Sequence, residues 1–196
     1  MAAAPNGPFV SRGGLKLHAA REAFALDVSG LVCADLGCST GGFTDCLLQA
    51  GAAKVHAVDT AYGELAWKLR QDPRVVVHER TNALHAPAAE AVDVVVIDLG
   101  WTPQRLAIPA ALRWLKPGGR IVTLIKPHYE VGKAELARLG TKGVLPEDVA
   151  ARVAEETIAA LPTLGVRVLG SIASPILGGK GSSTGNREWL AVVEGN

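Results

Sequence analysis

The sequence contains no run near the roughly 18 apolar residues that a bilayer-spanning helix needs, and its opening, MAAAPNGPFVSR, lacks the basic stretch and apolar core of a secretory leader. A soluble cytoplasmic protein without membrane contact is expected. Cysteine is scarce: Cys33, Cys38 and Cys46 are odd in number and show no CxxC spacing, which argues against a disulfide framework and a zinc site and leaves inert thiols. His18, His56, His78, His85 and His128 have no metal-ligand spacing, so no metal is expected. The glycine-rich tract LGGKGSSTGN (177–186) is not a phosphate loop, because Gly181 follows Lys180 where a Ser or Thr precursor pattern would need Gly-Lys-Ser/Thr; it reads as a mobile hairpin loop. Internal repeats are absent.

What is present suits one globular domain over residues 1–196, since nearly half of 196 residues are apolar. The net charge of +1 hides an asymmetry: residues 31–100 hold nine acidic and five basic side chains, residues 101–142 two acidic and eight basic. Arg105, Arg113, Lys116, Arg120, Lys126, Lys133, Arg138 and Lys142 form a phosphate-binding footprint if they converge in space, and scattered solvated charges if they do not.

Strand and helix patterns alternate. LKLHAAREAFAL (15–26) sets Leu17, Ala20 and Phe24 on one helical face within an N-terminal extension of about 30 residues. Strands are predicted at 31–36, 54–59, 74–79, 92–99 and 119–126, with near-continuous valine and isoleucine runs that indicate a parallel sheet covered on both faces. Helices fall at about 43–50, 61–70 and 103–115, the last interrupted by Pro109, and a long helix starts at Pro146 with Glu147 and Asp148 at its positive end. Two closing strands, 166–175 and 187–194, have no helix between them and should pair antiparallel.

The stretch VCADLGCSTGGFTDCLLQAG (32–51) places a glycine turn between a strand and a helix, where a bare backbone can approach a nucleotide-type ligand. Three chemistries use such a turn. A nucleophile elbow would employ Ser39 with Asp98 and His128, although an elbow serine normally follows a later strand. A dinucleotide site would want glycine where Ser39 stands. S-adenosylmethionine fits better: its amino-acid end would meet Asp35, Gly37, Ser39, Thr40, Gly41, Gly42 and Phe43, and its ribose Asp59, 24 residues beyond Asp35, with Thr60 beside it. Asn82 and Ala83 follow the third strand where adenine would lie, and Asp98 closes the set. The alternative for Asp59 is a cap on a helix starting near Tyr62, and for Asn82 likewise a cap.

SRGGLKL (11–17), STGGFTDCLLQAGAAKVHAVD (39–59), YGELAWKLRQDPRVV (62–76), ERTNA (79–83), VVIDL (95–99), LKPGGRIVTLIKP (115–127) and GNREWL (185–190) resemble the methyltransferase domain of the hemolysin A-like (TlyA) proteins, within the FtsJ-like ribose 2′-O-methyltransferases. The resemblance implies a class I, Rossmann-like α/β fold: a mostly parallel seven-stranded sheet with a terminal antiparallel strand and helices on both faces. It implies S-adenosylmethionine as cofactor, RNA, in particular rRNA, as partner, and a catalytic set at Lys16, Asp98, Lys126 and Glu188. Such proteins usually carry an N-terminal S4 RNA-binding domain, which this chain lacks, so a protein partner or an oligomer is expected in its place. The pattern departs from the family's after Asp98, where LGWTPQRL replaces the usual Ser-Phe continuation, and between Ile176 and Gly185, where the loop is longer.

The residues agree with that implication, because Asp98 and Lys126 end the fourth and fifth strands at the carboxyl edge where open α/β sheets bind ligands, and Glu188 starts the last strand from the same edge. Methyl transfer to a ribose hydroxyl needs the oxygen aligned with the sulfonium and its proton removed. Lys126 is the base or the hydroxyl orienter, Asp98 its positioning partner, and Lys16 and Glu188 orient substrate. A basic role needs a lysine pKa lowered from about 10.4 to about 8, which burial and the like charge of Lys16 would favour and the two carboxylates oppose. The alternatives are two ordinary surface ion pairs, or a non-catalytic cofactor- or RNA-binding protein. No Pro-Pro-aromatic motif of exocyclic amine methylases follows Asp98, and Trp101 either stacks on a base or packs against the next helix.

Overall fold

A computed structural model describes residues 7–132, 135–136, 139, 143–179 and 185–196. The valine-rich segments form a single seven-stranded sheet: β1 (Val32–Leu36), β2 (Lys54–Val58), β3 (Val75–His78), β4 (Val92–Ile97), β5 (Leu115–Ile125), β6 (Val166–Ala173) and β7 (Trp189–Gly195). Their order is β3-β2-β1-β4-β5-β7-β6. The first five run parallel, and β7 is antiparallel to both β5 and β6. Side chains alternate across the pleat, so Val94 and Val96 enter one core while Val95 and Ile97 enter the other. This is why β4 reads as a near-continuous apolar run, broken only by Asp93.

Helices cover both faces. On one side α1 (Gly13–Ala23) and α2 (Gly42–Gln49) pack Leu17, Ala20, Phe43 and Leu47 against the sheet. On the other, α4 (Gln104–Leu112) and the single 3₁₀ turn Leu161–Leu164 enclose Ile108, Trp114 and Leu161, while α6 (Glu147–Ala160) packs Val153 with Leu145 and Val131. Two short helices complete the described elements, α3 (Trp67–Arg70) and α5 (Pro127–Glu130). None of the helices among the described residues is long and apolar enough to cross a membrane.

Three local expectations are corrected. The helix predicted over 61–70 forms only over Trp67–Arg70, because the backbone before it is committed elsewhere: Ala61 N–H to the Asp59 carboxylate, Gly63 N–H to Glu79, and Ala66 N–H to the Thr40 carbonyl. Pro109 does not interrupt its helix, since α4 runs through it with the ring on the exposed face. Among the described residues the basic footprint does not converge, which leaves the scattered-charge alternative: Lys116 pairs with Asp93 at 2.7 Å near the amino end of β5, Arg113 donates to the Leu84 carbonyl, and Arg120 lies six residues from Lys126, about 20 Å along the strand. Lys133, Arg138, Lys142 and Lys180 lie outside the described residues.

The path of the chain builds the crevice. From β1 it steps outward to β2 and β3, then returns to place β4 on the other side of β1, so the loops after β1 and β4 diverge at the carboxyl edge. There α1 crosses the start of α2 at backbone distance: a Cβ on Gly42 would meet the Ser11 hydroxyl and lie 2.8 Å from the Gly14 nitrogen. Gly42→Ala therefore sets a helix-propensity gain of up to about 1 kcal/mol against an overpacking cost of about 1–3 kcal/mol. Sterics win. Urea unfolding of the variant should show a net loss of stability, and an unchanged or higher midpoint would show that the crossing can open at no cost.

Candidate active site

The crevice holds two adjoining cavities of about 820 and 340 Å³ that share Gly37, Ser39, Asp98 and Gly100. Their common floor is the switch point itself. Gly37 and Cys38 donate to the Val58 carbonyl and Asp98 to that of Leu36, so the turns after β1 and β4 are hydrogen-bonded into the sheet they leave. Gly37 has φ +92°, and a Cβ there would fall 2.8 Å from the Asp98 carbonyl oxygen. Only glycine keeps this approach open.

The smaller cavity is walled by Asp59, Thr60, Asn82, Ala83, Leu99 and Trp101 among others. Asp59 accepts from Ser39 N–H and Ala61 N–H, both at 2.8 Å, which holds the carboxylate against the turn while each oxygen keeps a lone pair. It caps no helix at Tyr62, where none starts. Asn82 accepts from Leu84 N–H at 2.9 Å in an Asx turn. Ser39 itself sits at φ +47°, a left-handed conformation that costs a non-glycine residue of order 1 kcal/mol and turns its N–H onto Asp59.

The larger cavity brings Lys16, Asp98, Lys126 and Glu188 into one wall, with Thr40, Gly42 and Phe43 from the glycine turn. Lys16 Nζ lies 2.6 Å from Glu188 Oε2, and Lys126 Nζ lies 2.5 Å from Asp98 Oδ1 while also donating to the Leu99 carbonyl at 3.1 Å. Lys16 and Glu188 are only 8% and 3% exposed, so theirs is not a surface ion pair, while Lys126 and Asp98 are partly buried. Burial pushes the Lys126 ammonium toward the neutral form, but the carboxylates of Asp98 and then Glu188 outweigh it and hold its pKa above the ordinary lysine value. A lysine depressed by its neighbour Lys16 is therefore not what the structure contains: each cation faces its own carboxylate.

Two members of the expected cofactor set face neither cavity. Asp35 is fully buried, bonded to the Thr44 hydroxyl at 2.7 Å, and Gly41 packs against Leu65 and Leu69. The nucleophile-elbow arrangement is also absent: Ser39, Asp98 and His128 all line the larger cavity, yet among the described residues no hydrogen bond joins Ser39 to His128 or His128 to Asp98, and Asp98 is committed to Lys126. Trp101 is 86% exposed at φ +56°, its ring 5.0 Å from that of Tyr129, so it does not pack against α4. Sequence reasoning missed Arg12, Tyr129, Gly178 and Asn186. Arg12 and Asn186 lie inside the motifs SRGGLKL and GNREWL and Tyr129 just beyond LKPGGRIVTLIKP, which was the available signal; Gly178 was invisible because its role is spatial, its α-carbon pressed against the Glu188 carboxylate so that a Cβ would collide with it.

A parallel sheet closed by an antiparallel β7, with a glycine turn and an acidic residue after β2 at the switch point, defines a class I methyltransferase. Distant solved structures share that fold, among them the N-methyltransferase NodS from Bradyrhizobium japonicum in complex with S-adenosyl-L-homocysteine, at TM-score 0.58 and 17% identity over 91% of this chain and 85% of that one. The chain belongs to the FtsJ-like methyltransferase family, whose model matches residues 9–184. It is 45% identical over 178 residues to the 16S/23S rRNA (cytidine-2′-O)-methyltransferase TlyA of Mycobacterium tuberculosis, covering 89% of this chain and 65% of that protein, and 35% identical to Hemolysin A of Brachyspira hyodysenteriae, covering 95% and 77%. A hemolysin-type structure from Lactococcus lactis superposes at TM-score 0.86 with 36% identity over 96% of this chain and 89% of that one. The chain thus spans just under two thirds of the length of the mycobacterial relative.

Asp35 offers a pH test of the floor beneath the glycine turn. Burial pushes its carboxyl up to about 7; the Thr44 hydrogen bond works against that, while the charges of Asp98 and Asp59 add to it. Between its ordinary value near 3.8 and about 7 the folded protein keeps a proton that the unfolded chain has lost, so this group's contribution to stability falls as pH rises across that window and levels off above it. Asp35→Asn keeps a partner for Thr44 and carries no charge. Its stability relative to the parent, from urea unfolding, should be greater at pH 8 than at pH 5 by about 2 kcal/mol, and equal differences at the two pH values would show that Asp35 is ionised throughout.

Proposed function

We propose that the protein is an S-adenosylmethionine-dependent RNA ribose 2′-O-methyltransferase acting on rRNA in the cytoplasm. The observation that carries it is the meeting of two Lys–carboxylate pairs, the buried Lys16–Glu188 and the partly buried Lys126–Asp98, in the wall where the narrow cleft opens into the wide cavity. The activity printed for the mycobacterial relative supports it. The residues present fit the cofactor: the bare backbone at Gly37 leaves room a Cβ would fill, and Asp59 offers carboxylate lone pairs to ribose hydroxyls. Gly37, Ser39, Thr40, Gly42 and Phe43 would hold its amino-acid end, and Asp59, Thr60 and Asn82 its adenosine. When bound, the cofactor supplies an electrophilic methyl group on sulfur.

The chain's own residues supply alignment and charge. Lys126, held cationic by Asp98, donates to the 2′-oxygen and points its remaining lone pair at the methyl carbon, which turns an encounter into a near-attack geometry. As the C–O bond forms and the C–S bond breaks, the hydroxyl oxygen becomes a far stronger acid than a carboxylic acid, and its proton passes to the Asp98 carboxylate beside it. Lys16 and Glu188 hold the ribose from the opposite side. Trp101, exposed beside Tyr129, offers a stacking face for the attached base, a contact of about 1–3 kcal/mol.

The test is methyl transfer from labelled cofactor to rRNA followed by alkaline digestion. A label in an alkali-resistant dinucleotide is expected; a label only in methylated bases or protein would overturn the reading, and cofactor binding without turnover on any rRNA would favour a non-catalytic binding protein. Lys126→Ala should lower single-turnover transfer by about 10²-fold or more while leaving cofactor affinity within a few-fold. Asp59→Ala should do the opposite, weakening calorimetric cofactor binding at least about tenfold through loss of a charge-assisted contact of about 1.5–3 kcal/mol. Equal affinities for parent and Asp59→Ala would remove Asp59 from the site.

A further inference from the structure

His128 lines the larger cavity but has no part in the chemistry above. It stands two residues beyond Lys126 on α5, half-buried, its ring against that of Tyr129 with centroids 4.0 Å apart. Its Nδ1 is buried without a hydrogen-bond partner, and no protein group among the described residues satisfies Nε2. Burial, then the ammonium charges of Lys126 and Lys16, pull its pKa down to about 4, so the ring is neutral in the resting protein. A neutral imidazole carries one N–H. A buried N–H without an acceptor is rarer and costlier than a buried bare lone pair, so the hydrogen-bond network assigns the proton to Nε2, the nitrogen left to meet the cavity. In this tautomer His128 is a donor and cannot accept the hydroxyl proton.

A ribose whose 2′-oxygen is held by Lys126 carries its 3′ phosphodiester on the adjacent carbon, so that anion must enter the same cavity. We propose that His128 binds it: Nε2–H donates to a non-bridging oxygen of the phosphodiester 3′ to the target ribose. The inference rests on the ribose-methyltransferase reading and deepens it. A neutral donor suits this place because a charge on the ring itself would be repelled by the ammonium groups of Lys126 and Lys16.

The test compares parent, His128→Phe and His128→Gln on a substrate RNA with either a normal or a methylphosphonate linkage 3′ to the target. His128→Phe should raise the RNA KM about tenfold with kcat and cofactor affinity within a few-fold, and His128→Gln, which keeps an N–H at similar reach, should restore KM most of the way. The methylphosphonate should weaken the parent and leave His128→Phe no worse. An unchanged KM in His128→Phe, the same methylphosphonate penalty in both proteins, or a loss that follows base identity would overturn the phosphate assignment while 2′-O-methyl product from the parent keeps the functional reading intact. Nitrogen-15 NMR provides the arm that needs no turnover: the free protein should show the Nε2-protonated tautomer, with a shift on adding normal but not methylphosphonate RNA. If the parent methylates no rRNA, the functional reading falls, and that shift alone decides whether the phosphate contact stands. A resting Nδ1–H tautomer, or no shift with normal RNA, overturns it.

Discussion

The buried pair Lys16–Glu188 joins residues 172 apart in sequence, and the rest of the site is arranged around it. Two charges taken out of water are tolerable only when paired, and removing one partner from such a pair typically costs about 3–5 kcal/mol. The pair therefore demands that α1 lie across the sheet, that β7 insert between β5 and β6, and that the chain at Gly178 press close enough to shield the carboxylate. The first and third of these requirements are met by residues without side chains: Gly42 where α1 crosses α2, and Gly178 over Glu188. The N-terminal helix thereby lines the candidate site and is not merely a lead-in to the domain.

The second pair has a different character. Asp98 follows β4 and Lys126 follows β5, neighbouring parallel strands whose register pairs Ile97 with Thr123, so both residues emerge at the carboxyl edge and the lysine side chain reaches Asp98. The carboxylates of Asp98 and Glu188 outweigh burial at Lys126, so the resting site holds an ammonium. Within the set Lys16, Glu188, Lys126 and Asp98, two cations face two carboxylates.

Much of this was legible in the chain. Continuous valine runs announce buried parallel strands, the missing helix between residues 176 and 187 announces the antiparallel finish, and Lys16, Asp98, Lys126 and Glu188 were identified from motif and strand ends. The errors have physical causes. The segment 61–70 has helical composition, but its N–H groups found better partners in Asp59, Glu79 and Thr40. Among the described residues, the basic side chains crowded in sequence between 101 and 142 take the scattered alternative, because a long strand carries Lys116 and Lys126 toward opposite ends. Asp35, placed by its motif beside the ligand, instead points into the interior toward Thr44.

The sequence by itself determined the periodicities, and with them the layers, the strand directions and the identity of the residues at the carboxyl edge. Only the tertiary structure decided which charge faces which, whether a lysine is neutral or cationic, and which side chains stand open. Periodicity is a property of neighbouring residues and survives any packing. Charge state and exposure depend on distances between segments far apart in the chain, and Coulomb energy and desolvation change too steeply over a few ångströms to be read from spacing alone.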